Sequence, residues 1–369
     1  SRRPLETPPQ ASPELGNVRS LGTLVHAMRP PPAAILPALS LLLLTDQSQA
    51  TCPDGANLDT KGILYMQKRA ELNTVQPPEA SQPSPEPPVF LTYCNAAFQR
   101  IFEVFFKCYE AAMGGGMVPH LLDLGGEDAG RCRPAGPDGA SLLTAAAVGG
   151  VTPQGVPLII AKGIADQLEA GRDVFRIDAD AFIMKSPIGE MRDRYPNADV
   201  VSSIDCVYDG ADYCGWYRTP AYHQRHGGLD PLADLGFMLN TGFALFRSNP
   251  RTVALARDAE RAVRDGRSDF EQTALNEELV RRNCRWSTAA GELHSRPEQE
   301  ALYRLHFFGL CNFGLRVVVL PYDVVTRDAN NATGKLAVHP GGTTEFKLTT
   351  LPEITRACAE AAGSQTAAV

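Results

Sequence analysis

One run constrains this chain more than any other: Asp173-Val174-Phe175-Arg176-Ile177-Asp178-Ala179-Asp180-Ala181-Phe182-Ile183-Met184-Lys185-Ser186-Pro187. It reads as a short buried strand ending in two carboxylates one residue apart, followed by a second apolar run and a Ser-Pro stop. Such a strand puts two hard oxygen donors at the rim of a sheet, where a divalent cation can be held against a phosphorylated ligand. Asp-x-Asp alone is common at exposed turns, so the remaining segments must supply the rest of any such site.

The chain's 369 residues allow a large core in one or two domains. With 44% apolar and 21% charged residues, most of it is expected to be globular. The net charge of -7, without a basic stripe, argues against nucleic acid as a main partner. Nine cysteines lack any C-x-x-C pair, which argues against a zinc ribbon or a thioredoxin-like motif. An odd count leaves at least one thiol unpaired in a monomer, and spacing does not give the pairing.

Residues 1–50 read as a leader. Met28-Arg29-Pro30-Pro31-Pro32, an apolar run from Ala33 to Leu44 and Ser48-Gln49-Ala50 have the order of a secretory signal peptide or signal anchor, with Met28 as an alternative start. The run is shorter than the about 20 apolar residues of a membrane span. The other reading is a Pro/Ala/Leu-rich disordered arm. Residues 51–88 form a Pro-rich stem that cannot build a core. Asn331-Ala332-Thr333 is a glycosylation sequon, which agrees with a lumenal chain.

From Val89 the pattern becomes that of a folded domain. Val89 to Asn95 reads as a strand running into a turn, and Phe98, Ile101, Phe102, Phe105, Phe106 and Tyr109 form one helical stripe. Val118 to Leu124 reads as a second strand, so a βαβ unit and a parallel sheet are expected. The turn after the first strand has no G-x-G-x-x-G, which leaves dinucleotide binding unsupported. A helix ending at Gly171 precedes the Asp178/Asp180 strand. Ala198 to Asp205 is another strand with a terminal carboxylate, and Asp205 suits a cap or a ligand contact equally. Residues 206–234 read as a long loop whose Tyr208, Tyr213, Trp216, Tyr217 and Tyr222 either line a ligand or pack on the core. Leu235 to Arg247 is a strand interrupted by Asn240-Thr241-Gly242, as a close approach or a bulge would require. Asn249-Pro250 opens one helix, and Asp269-Phe270-Glu271-Gln272 opens another with the spacing of a capping box. A late strand spans Leu315 to Pro321, and Ala337-Val338-His339 precedes a Gly-Gly turn and Lys347.

Together these segments resemble a GT-A glycosyltransferase. They are most similar to the nucleotide-diphospho-sugar transferase family that includes plant and algal xylosyl- and arabinosyltransferases. The resemblance covers about residues 89–352 and leaves 353–369 as a tail. It implies an α/β fold with a Rossmann-like, mostly parallel mixed sheet flanked by helices. It also implies transfer from a nucleotide sugar, usually a UDP-sugar, with Mn²⁺ or Mg²⁺ and with retention at the anomeric carbon. By that resemblance Asp178, Asp180 and His339 hold the metal, and Lys347 neutralises the diphosphate. Thr92, Asn95, Asp178 and Gly242 meet the nucleotide sugar. Asn240, Glu271 and Gln272 line the reacting sugar and the acceptor. An imidazole in the ligand set favours Mn²⁺ over harder cations. The implied partners are the donor and a glycan or glycoprotein acceptor. The expected place is the secretory lumen, at the Golgi, with the leader as a membrane anchor.

Two positions depart from the family pattern. Glu271-Gln272 stands where Asp-Gln is usual, and His339-Pro340-Gly341 where His-Ala-Asn is usual. These departures bear on acceptor choice and keep a nucleotide- or carbohydrate-binding pseudoenzyme as the second reading. A haloacid-dehalogenase-type phosphatase would want Thr where Phe182 stands and a later acidic pair, and the later chain has no Asp-Asp.

Overall fold

The strand carrying Asp178 lies near the middle of a mixed sheet. The structure, a computed structural model of the chain, describes residues 88–93, 98–114, 120–122, 142–143, 155–207, 217, 219–226, 228–293 and 299–366. The leader, nearly all of the stem and Asn95 lie outside the described residues. The strands are β1 (Val89–Tyr93), β2 (His120–Leu122), β3 (Leu142–Leu143), β4 (Val174–Ile177), β5 (Phe182–Ile183), β6 (Val200–Val207), β7 (Phe237–Phe246), β8 (Arg285–Thr288), β9 (Gly291–Glu292), β10 (Phe307–Leu310), β11 (Arg316–Leu320), β12 (Val325–Thr326) and β13 (Ala337–Val338). The helices are α1 (Gln99–Met113), α2 (Gly155–Glu169), α3 (Pro220–Arg225), α4 (Pro231–Leu235), α5 (Pro250–Arg264), α6 (Glu271–Arg281), α7 (Gln299–Arg304) and α8 (Thr344–Thr366).

The main sheet has the order β3-β2-β1-β4-β7-β6-β11-β10-β8-β9, and a small sheet has β12-β13-β5. Pairing is parallel across β3-β2-β1-β4 and between β6 and β11. It is antiparallel on both sides of β7 and from β11 to β9. Antiparallel pairing therefore has a larger share than the expected mostly parallel sheet.

Alternation along the strands feeds two cores. Phe175 and Val201 enter one, Val174 and Val200 the other. The first core is covered by α1, through Ile101, Phe102, Phe105 and Tyr109, and by α8, through Ile354 and Cys358. The second is covered by α2, α5 and α6, through Ile160, Ile164, Leu255 and Leu275. Gly114 ends α1 in the left-handed region at φ 68°, as a C-terminal glycine should. Asn249 and Thr252 form a capping box at the start of α5, with Pro250 in the first turn.

Three expectations change. The run 206–234 is not one loop, because α3 and α4 lie within it, each opened by Pro and capped by Thr219 or Asp230. Its Tyr217 and Tyr222 are buried with Cys206, Leu232 and Met238, which is core packing. The other three aromatics lie outside the described residues. The Asp269/Gln272 capping box does not form: α6 begins at Glu271 with Phe270 at its N-cap and no side-chain cap. Finally, α8 runs through Pro352 instead of stopping there, and Cys358 in its second half is joined to Cys108 of α1. A second disulfide joins Cys284 to Cys311.

Candidate active site

The site starts at the end of β4. Period-two alternation sends Arg176 and Asp178 the same way, and the Arg176 guanidinium donates to Asp178 Oδ1. A turn closes behind them: Ala181 N donates to the Asp178 carbonyl at 2.9 Å, and Asp178 N donates to the Gly242 carbonyl at 2.7 Å. Asp180 sits in that turn, buried, just before β5. β5 pairs antiparallel with β13, with Phe182 opposite Val338. That register delivers the next residue, His339, to the carboxylates.

His339 Nε2 lies 3.5 Å from Asp178 Oδ2 and 3.4 Å from Asp180 Oδ1. One ligand atom from each of the three residues falls within 4.8 Å of the others. Two carboxylate oxygens and an imidazole nitrogen, all facing one point, suit a divalent first-row cation. The three residues fit the metal site that the sequence implied. Lys347, in the first turns of α8, forms an ion pair with Asp180. Burial alone would raise the Asp180 carboxyl, but His339 and Lys347 outweigh it and hold the group well below the usual carboxylate range.

Gly242 makes the close approach possible. A Cβ there would sit 1.9 Å from Asp178 Oδ2 and 2.8 Å from His339 Cε1. It belongs to a three-residue detour of β7: Ser202 of β6 pairs with Ala244, but Ser203 pairs with Asn240. The detour's amides are satisfied by side chains. Asn240 Oδ1 accepts from Gly242 N at 2.8 Å, and Gln272 Oε1 accepts from Thr241 N at 3.0 Å. Both side-chain amides then donate to Asp205, at 2.8 Å each. Arg327 completes the group, donating to Asp205 Oδ1 and, at 2.9 Å, to the carbonyl of His339. Asp205 is thus the hub between the β7 detour and the segment that carries His339.

A second carboxylate stands behind Asp178. Arg176, 1% exposed, reaches Glu271 Oε1 at 3.7 Å and lies over the Tyr93 ring at 5.0 Å. Burial pushes the Glu271 carboxyl up to about 7, against the pull of Arg176. The charge of Asp178, with burial, keeps the Tyr93 phenol protonated far above its ordinary range. The Arg176 guanidinium therefore serves two acidic groups at once.

The expected residues Asp178, Asp180, Gly242, His339 and Lys347 meet at one point, and Asn240, Glu271 and Gln272 surround it. Thr92 is buried in β1, next to β4, and its hydroxyl has no hydrogen-bond partner among the described residues. Arg176 and Arg327 were not anticipated, and Asp205 was left undecided. An arginine inside Val174-Phe175-Arg176-Ile177 was a readable signal, since a buried guanidinium needs an acidic partner. Arg327 gave no comparable signal.

Residues 161–345 match the family model described as nucleotide-diphospho-sugar transferase. The chain belongs to this family. The matched stretch takes in the transferase's Asp178, Asp180, Asp205, Asn240, Gly242, Glu271, Gln272 and His339, while Thr92 and Lys347 lie outside it. The transferase is also similar to a crystal structure of galactosyltransferase LgtC in complex with donor and acceptor sugar analogs. That likeness has 12% identity and a TM-score of 0.33, and covers 71% of this chain and 95% of that one. No curated protein matches the chain. As a member of this family the chain is a glycosyltransferase that uses a nucleotide sugar.

Proposed function

We propose that the transferase moves a sugar from a UDP donor to a glycan or glycoprotein acceptor, with a divalent cation, Mn²⁺ before Mg²⁺, and with retention at the anomeric carbon. The observation that carries this reading is the convergence of Asp178, Asp180 and His339 beside Lys347. In this reading the three residues hold the cation, which when bound neutralises the diphosphate as a Lewis acid. Lys347 keeps Asp180 ionised and presents an ammonium to the same diphosphate. Thr92 and Asn95 are assigned to the nucleotide, as the family resemblance implies. Glu271 is the carboxylate assigned to the reacting sugar. Asn240 and Gln272 direct their side-chain bonds to the β7 backbone and Asp205, so we assign them to positioning Gly242 and Thr241.

The secretory lumen, with the Golgi as its station and the leader as anchor, is proposed with it. The Cys108–Cys358 and Cys284–Cys311 disulfides and an exposed Asn331 in the sequon support an oxidising compartment.

The test is UDP release by the purified chain with UDP-sugars and Mn²⁺. Release should require Mn²⁺, vanish in Asp180→Ala and fall strongly in His339→Ala. Full release by Asp180→Ala would sink the metal assignment. Tight UDP binding without release would favour the binding protein over the enzyme.

A further inference from the structure

A cavity of about 580 Å³ opens at the end of β6 opposite Asp205. Ala198 lines it, and the run from Ala198 to Asp205 spans about 23 Å of extended chain. The cavity is therefore separate from the cluster around Asp178.

Register defines its floor. Arg285, Leu310 and Arg316 stand side by side across β8, β10 and β11. Ser287, Phe308 and Val318 form the next row on the same face. Tyr195 forms a wall, its ring edge-on to Phe308 at 6.3 Å. Leu310 is 45% exposed.

Charge makes this more than an apolar groove. Neither the Arg285 nor the Arg316 guanidinium has a hydrogen bond or an ion pair among the described residues. A third lining arginine, Arg194, is already paired with Glu190 at 2.8 Å. Glu292 is the acidic residue among those lining the cavity. Two free guanidiniums thus stand two strands apart, about 10 Å, with an apolar seat between them. On a chain of net charge -7 this is a local concentration of positive charge.

A guanidinium fork fits planar oxyanions in a bidentate manner, and the apolar seat fits the C–H face of a sugar ring. A nucleotide gathers its phosphates at one point, whereas these cations stand apart. An acidic glycan repeats its charges along a chain with apolar ring faces between them.

We propose that this cavity anchors an acidic oligosaccharide, its carboxylate or sulfate groups on Arg285 and Arg316 and a ring between them on Leu310 and Phe308. Identifying that oligosaccharide with the acceptor rests on the function proposed above; the binding itself does not.

The test is calorimetric titration of the whole chain with a galacturonate hexamer, a sulfated hexasaccharide and the methyl-esterified, neutral galacturonate hexamer. At least one acidic oligomer should bind, more weakly at high salt, and the neutral one should not. Arg285→Ala and Arg316→Ala should each weaken that binding about tenfold. Leu310→Asp, at an exposed position, should abolish it while leaving the melting temperature near that of the parent chain. The proposal is overturned if no acidic oligomer binds, if the neutral one binds equally, or if the arginine variants bind as the parent does. UDP release without acceptor should be unchanged in all three variants. Binding that persists in a chain unable to release UDP would remove the proposed function and keep this site. Intact release with no binding would do the reverse.

Discussion

Gly242 faces Asp178 so closely that a methyl group on it would fall 1.9 Å from Asp178 Oδ2. The glycine is held there by Asn240 and by its own carbonyl on Asp178 N. Gly242→Ala must push the carboxylate away from His339. An ångström of misplacement at a reacting centre costs about 100-fold. Mn²⁺-dependent UDP release should fall by about that factor, while a thermal melt keeps a single cooperative transition.

Arg327 touches no proposed ligand atom of the metal site, yet it holds the His339 carbonyl and Asp205 together. Residues behind metal ligands typically change metal affinity by about 10–100-fold. In Arg327→Ala the Mn²⁺ concentration giving half-maximal UDP release should rise by about that much. An unchanged Mn²⁺ curve would remove Arg327 from the metal site's support.

Arg176 is buried between Asp178 and Glu271. Arg176→Met leaves two acidic groups without their shared cation. Removing one partner of a buried pair costs about 3 kcal/mol. Chemical denaturation should show a loss of that order, and Arg176→Lys, with one ammonium in place of a fork, should recover only part of it.

Cys108 and Cys358 tie α8 to α1, and α8 also carries Lys347. The cross-link closes a separation of 250 residues. Removing a native disulfide costs about 3 kcal/mol. Cys358→Ser should lower the melting temperature by about 6 °C or more. KM for the donor should rise more than kcat falls if Lys347 loses its place.

Glu277 is fully buried, with His226 Nδ1 at 2.7 Å and Tyr222 Oη at 3.4 Å. Burial pushes its carboxyl up to about 7, above the unfolded value. Its contribution to stability is therefore complete at low pH and is lost as pH rises through about 7. Melting temperatures should fall from pH 5 to about pH 7 and level off above it, up to pH 8.5. Glu277→Gln, which does not titrate, should remove about 3 °C or more of that fall. A parallel pH profile for the variant would refute the assignment.

Much of this site was readable because strand ends are local. Asp178 and Asp180 follow from apolar alternation and its abrupt end, and Gly242 stands out as a glycine within a buried strand. His339 needed more: it meets the carboxylates only because β13 pairs with β5 in one particular register. The Asp205–Arg327 contact joins residues 122 apart and leaves no periodic trace. The Asp269–Gln272 spacing matches a local capping motif that does not form, because tertiary bonds to Thr241 and Asp205 claim the Gln272 side chain. The helices within 206–234 were hidden because each is a turn or two long, too short for a hydrophobic period to show.

The β7 detour has one more consequence. β4 pairs with β7 only as far as Ile177 and Phe243, so the earlier part of β7 runs on past its neighbour. There α6 replaces the missing strand: Asn276 bonds both N–H and C=O of Leu239, and Gln272 takes the amide of Thr241. Side-chain amides from a helix thus imitate a ladder rung. Amide hydrogen exchange at Leu239 and Thr241 should therefore be slow while α6 is docked, and should report α6 undocking as a unit, not fraying of the sheet.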